Sequence, residues 1–113
     1  MMSTPIAVGG GGPGAPSARA LDVRAAASAG DVKIHFRTSA ELQLAGFDIL
    51  TEANANRGLF KVNDSMIAPQ GVGGGGATYD LAISRGKFRG GRTVIIESVL
   101  TDNTTLRSDA AKF

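Results

Sequence analysis

Between residues 31 and 37 apolar and polar side chains alternate strictly: Val32, Ile34 and Phe36 on one side, Lys33, His35 and Arg37 on the other. A period of two predicts a strand with one face buried and one wet. The preceding stretch, 20–29, is rich in alanine, which favours helix in isolation. Its Leu21, Val23 and Ala25 nevertheless alternate with Asp22, Arg24 and Ala26, and Gly30-Asp31 follows as a turn signal, so it reads as a first edge strand. Further strands are predicted over 46–52 with Phe47 and Ile49 inward, over 59–62, over 77–83 with Tyr79 and over 93–100, and Thr104–Arg107 begins the last one. The connectors are residues 38–46 with room for one helical turn, a polar turn at 54–58, and a long loop at 65–76 holding Pro69 and Gly73 to Gly76. A basic glycine-rich turn follows at 85–91, and a hairpin turn at Asp102-Asn103. Seven short strands without a long helix predict an all-β fold. One small sheet could not cover its own apolar side, so two sheets must pack face to face as a β-sandwich.

The pattern begins only near residue 20. Residues 1–19 hold five glycines and three prolines, with Ile6 and Val8 the only branched apolar side chains. Such a segment buries too little surface to offset its ordering entropy and reads as a flexible arm or linker, leaving 20–113 as the single domain that 113 residues support. It has neither the basic start nor the apolar run of a secretory signal, and no apolar run in the chain approaches the roughly 18–20 residues that span a bilayer.

The strand region carries a likeness. Residues 32–52, VKIHFRTSAELQLAGFDILTE, place Thr38, Ala40-Glu41 and Ala45-Gly46-Phe47 as a bacterial fibronectin type III-like module does, with Phe36 where its tryptophan is usual. Lys61-Val62-Asn63, Pro69-Gln70-Gly71, Ala77-Thr78-Tyr79, Gly91-Arg92-Thr93, Ile96-Glu97-Ser98-Val99 and Thr104-Thr105-Leu106 follow in that module's order. The chain thus resembles a divergent member of that group over roughly residues 20–113. It departs where Val94-Ile95-Ile96 replaces the aromatics of the sixth strand, including a corner tyrosine. The resemblance implies a seven-stranded sandwich serving as a structural, spacer or recognition module in an extracellular or cell-surface setting. It offers no catalytic residues to carry over.

Composition narrows the chemistry. Without cysteine there is no disulfide framework, thiolate metal site or cysteine nucleophile, and one histidine excludes a His-rich metal centre. His35 stands between two cations on an outward face, which predicts a solvated side chain. The acids are scattered. Asn63-Asp64 and Asp102-Asn103 are oxygen-rich, but they match no calcium-loop spacing and read as turns. Gly9–Gly12 and Gly73–Gly76 lack the patterns of phosphate-binding loops and read as flexible. No catalytic residue, cofactor or metal is therefore expected. The net charge of +2 alone selects no partner.

Two features remain as candidate surfaces. Ile95 and Val99 would lie on the outer face of their strand, where apolar residues suggest cover by another subunit or domain. Arg85, Lys87, Arg89 and Arg92 with Phe88 resemble a segment whose cations follow phosphates and whose aromatic stacks on a base, and equally a solvated turn. The expected function is a non-catalytic structural or protein-interaction module acting through a sheet face and the arm, with a protein partner or self-association. The alternative is carbohydrate, polyanion or nucleic-acid binding through the basic loop.

Overall fold

The computed structural model describes residues 17–52 and 58–113. Strands β1 (Leu21–Ser28), β2 (Asp31–Arg37) and β5 (Thr78–Ser84) form one antiparallel sheet in the order β1-β2-β5. The second sheet runs β4 (Leu59–Lys61), β3 (Leu44–Glu52), β6 (Thr93–Leu100), β7 (Thr105–Arg107), and β8 (Ala111–Lys112) pairs with the start of β6. The all-β expectation holds. No helix of the described residues is long and apolar enough to cross a membrane.

The alternation read from the sequence becomes the core. Val32, Ile34 and Phe36 of β2 meet Phe47 and Ile49 of β3 and Val94 and Ile96 of β6, all buried. Phe36 stacks on Tyr79 at 4.7 Å between ring centroids, and Phe47 meets both rings edge-on at 4.9–5.0 Å. This trio fills the middle of a core that has no tryptophan. The β1–β2 hairpin closes through Ala29 and Gly30, at φ 50° and 90°. Two consecutive positive φ values match the right-handed twist of the flanking strands.

Several expectations are revised. The connector 38–46 has no helical turn: β3 begins at Leu44, and Glu41 turns its side chain into the protein. The 85–91 turn contains a 3₁₀ turn, Arg85–Phe88, because Phe88 is drawn fully inside against Phe113 at 5.1 Å. The final strand is split. Ser108 interrupts it, its hydroxyl accepting from the Ile96 amide (2.9 Å) while its own amide donates to the Ile96 carbonyl (2.9 Å), and β8 resumes at Ala111.

Of the expected arm, residues 1–16 lie outside the described residues. Residues 17–19 belong with the sandwich. Ala18 and Ala20 are buried, the Ser98 hydroxyl donates to the Ala18 carbonyl (2.6 Å), and Arg19 reaches the Arg107 carbonyl (2.9 Å) and the Asp109 carboxylate (3.1 Å). Small side chains let the backbone lie close over β6. Of the polar turn at 54–58, only Gly58 falls among the described residues.

Candidate functional site

The most constrained local structure lies at the end of the sandwich where the β2–β3 connector meets the long loop 65–76. Its centre is Glu41, only 6% exposed. One carboxylate oxygen accepts from the Thr38 hydroxyl (2.6 Å) and the Tyr79 phenol (2.6 Å). The other accepts from the Gly71 amide (2.7 Å). Tyr79 oxygen accepts in turn from the Gln70 amide (2.8 Å), and the Thr38 hydroxyl from the Ala77 amide (3.1 Å). A buried carboxylate is tolerable only when its lone pairs are satisfied, and here they are. Burial pushes the Glu41 carboxyl up, but the hydrogen bonds from Thr38, Tyr79 and the loop amides outweigh it and hold the group below its ordinary value. Burial, with the adjacent Glu41, raises the Tyr79 phenol to about 12.

The clamp fixes a loop that the composition reads as flexible. The Glu41 amide donates to the Gly74 carbonyl (2.8 Å), the Gly75 amide to the Val72 carbonyl (3.1 Å), and Ala40 forms a bridge with Gly75. Gly73 and Gly74 take φ values of 63° and 81°, the two left-handed positions of a tight turn. A side chain at Gly71 would stand 2.0 Å from the Gly75 carbonyl, and one at Gly74 would stand 2.4 Å from Leu42. These glycines permit close packing. The sequence shows which residues are small but not what lies against them. The result is a held projection with Val72 92% exposed and Leu42 71% exposed, the Leu42 side chain lying against Gly74.

Tyr79 also revises the reading of the missing corner tyrosine. The sixth strand has none, yet this tyrosine, on β5, joins strand, connector and loop through its hydroxyl.

The four basic candidates do not converge. Lys87 pairs with Asp64 at 2.5 Å, Arg92 donates to the Phe113 carbonyl at 3.0 Å, and the Arg89 guanidinium sits 6.0 Å from the Phe60 ring centroid. Arg85 is exposed, and its amide donates to the Gly30 carbonyl at 2.8 Å. Phe88 is buried and has no face to offer a base. Lys87 and Arg89 do share a cleft of about 370 Å³ with Lys61 and Phe60, Lys61 lying outside the set read from sequence, and Asp64, the partner of Lys87, lines the same cleft.

Ile95 and Val99 fall on the outer face of β6 and are half-buried. Ile95 stands opposite Leu50 of β3, a buried residue not singled out in the sequence, and Val99 opposite Gly46 and Thr105. The Glu97–Arg107 ion pair (3.0 Å) lies between them along the strand, so they do not form one apolar patch. On the outer face of the other sheet His35 Nδ1 lies 2.8 Å from Asp80 of β5, a partner 45 residues away in sequence. Beside this pair, Ala26 and Ala82 help to line a shallow depression of about 490 Å³. Among the described residues no group of three or more metal-ligating side chains gathers.

Comparison with protein families, with curated proteins and with solved structures finds no match to this chain. The functional reading therefore rests on its own geometry.

Proposed function

We propose that this chain is a non-catalytic structural or protein-interaction module of fibronectin type III-like topology, a component of a larger chain or assembly. The orders β1-β2-β5 and β4-β3-β6-β7 support the topology. An extracellular or cell-surface setting belongs to the same reading. The observation that carries the interaction function is the held loop: a buried carboxylate spends its hydrogen bonds fixing a projection whose tip displays Val72 and Leu42 to solvent. A preformed apolar tip binds without the entropic cost of ordering a loop. Burying each side chain in a protein partner's recess contributes about 1.5–3 kcal/mol before the costs of association.

A photo-crosslinking residue at position 72 tests this in cells producing the full chain. It is expected to capture one discrete protein species that is not captured from position 26, with the capture lost in the Leu42→Asp variant. Equal capture from both positions, or capture indifferent to Leu42, removes the loop reading.

The shared cleft of Lys61, Lys87 and Arg89 supports a second reading, recognition of a polyanion. Attraction between these cations and such a ligand would weaken strongly with added salt. Here the expected result is retention on heparin at low salt, reduced by Arg89→Ala and unaffected by Arg92→Ala, whose side chain is turned to the chain end. Flow-through of the unaltered protein at low salt would sink it.

A further inference from the structure

Sheet edges offer unpaired main-chain groups, and soluble proteins protect them with short strands, bulges, proline or lysine. Most edges here are protected in this way. β1 carries a register break between Leu21 and Arg24, with Asp22 at φ 52°. β4 and β7 are three residues long and β8 two. β5 is different. It runs seven residues from Thr78 to Ser84, pairs among the described residues only with β2 in an unbroken register, and contains no proline, lysine or bulge; its one charged residue, Asp80, is engaged by His35.

The hydrogen bonds flanking β5 show which of its groups are unused. The Thr38 amide donates to the Ala77 carbonyl and the Arg85 amide to the Gly30 carbonyl. Both contacts continue the β2–β5 register, so odd-numbered residues bond to β2. Thr78, Asp80, Ala82 and Ser84 therefore turn their amides and carbonyls away from the sheet, and all four are exposed. Among the described residues no hydrogen bond uses those groups. Leu81 and Ile83, on the inward face at this edge, remain half-exposed.

We propose that β5 pairs antiparallel with β5 of a second copy, joining two three-stranded sheets into one across a two-fold axis at Leu81. This deepens the interaction reading by naming a partner, but it uses a surface separate from the Leu42–Val72 tip. The strand's own sequence fits that occupant in one register. With Leu81 on the axis, Thr78 faces Ser84 of the second copy and Asp80 faces Ala82, so all four unused residues meet unused residues. Leu81 meets its own copy on the inward side, and Tyr79 meets Ile83. Charge opposes the slip that places Asp80 against Asp80, because like charges directly opposite are unfavourable. In the proposed register Asp80 keeps its His35 partner and faces a methyl group. Main-chain hydrogen bonds supply the attachment, and Leu81 extends the core across the joint.

The test is hydrogen exchange of the full chain over a concentration series, alongside its mass by light scattering. A dimer is expected at high concentration. The amides of Thr78, Asp80, Ala82 and Ser84 should slow by about tenfold or more as it forms, while those of Tyr79, Leu81 and Ile83 are protected throughout. Ala82→Pro removes one outward amide that β2 does not use and should yield a folded monomer. Ala82→Lys, a guard on the exposed face, checks this should proline disturb the strand. A monomer at every concentration with fast even-numbered amides overturns the proposal, as does a dimer in which they stay fast. Protection independent of concentration and lost on deleting residues 1–16 overturns it in favour of the chain's own N-terminal segment. Val72→Asp should leave the dimer intact, so failure of the edge and failure of the loop reading are told apart.

Discussion

Replacing Glu41 by alanine is expected to lower the unfolding free energy by about 3–5 kcal/mol, a large share of the roughly 5–15 kcal/mol typical of a domain this size. The substitution removes one acceptor group and leaves the Thr38 hydroxyl, the Tyr79 phenol and the Gly71 amide without their partner. Orphaned buried donors each cost about 1–3 kcal/mol, less where water can enter the gap. Urea titration of the variant measures the loss; a change below about 1 kcal/mol would show that the network does not hold the loop. The pH dependence has a definite sign. The Glu41 carboxyl is held below its ordinary value of 4.5, so its contribution is complete above that value and fades as pH falls through the lower folded one. The acid slope of stability should therefore flatten in Glu41→Ala relative to the unaltered chain. At the other end, the phenol raised to about 12 favours the folded state below pH 10, and that contribution disappears as pH rises from 10 toward 12. With one tyrosine and no tryptophan, the phenolate absorbance of the whole chain follows this single group. In Glu41→Ala the midpoint should fall, but only part of the way, because burial, the larger cause of the rise, stays in place.

The second large effect belongs to Gly71. Gly71→Ala is expected to cost about 2–3 kcal/mol, because the new methyl would stand 2.0 Å from the Gly75 carbonyl and 2.9 Å from the Glu41 carboxylate. Backbone has to move, and the movement pulls the Gly71 amide off the carboxylate. Gly73→Ala is the informative contrast. Gly73 has φ 63°, but nothing lies within 4 Å of the added atom, so only the left-handed penalty of about 1–2 kcal/mol applies. Thermal unfolding of the two variants ranks them. Equal or reversed losses would mean that the loop is looser than its contacts imply. Gly71→Ala should also abolish crosslinking from position 72, since the tip loses its support.

The contrast shows what a sequence can and cannot express. Alternation placed β2 and its inward Val32, Ile34 and Phe36, since a half-buried strand imposes a period of two that survives without any partner being known. The same logic found β6 and the outward Ile95 and Val99. It did not find Leu50 opposite Ile95, because cross-strand neighbours depend on register. The clamp was hidden for a related reason. Residues 38–46 read as a connector with room for a helical turn, and the glycines of 73–76 read as a flexible loop. Both readings are local, whereas the actual partners, Tyr79 and the Gly71 amide, lie 38 and 30 residues from Glu41. Phe88 was misread in the same way: its basic neighbours suggested a wet turn, and only the position of Phe113 explains why the ring is inside.

The clasp at Ala18 and Arg19 has a consequence in time. Its bonds join residues separated by 80 to 90 positions, so none can form until β6 has been made, and those of Arg19 wait for β7 and the residues that follow it. During synthesis the β1–β2 hairpin emerges first, and its apolar face waits for β3 and β6 to cover it. Closing so long a loop is slow, and a half-covered hairpin is vulnerable while it waits. The polar outer face of β2, with Lys33, His35 and Arg37, keeps one side of that early hairpin wet throughout the delay.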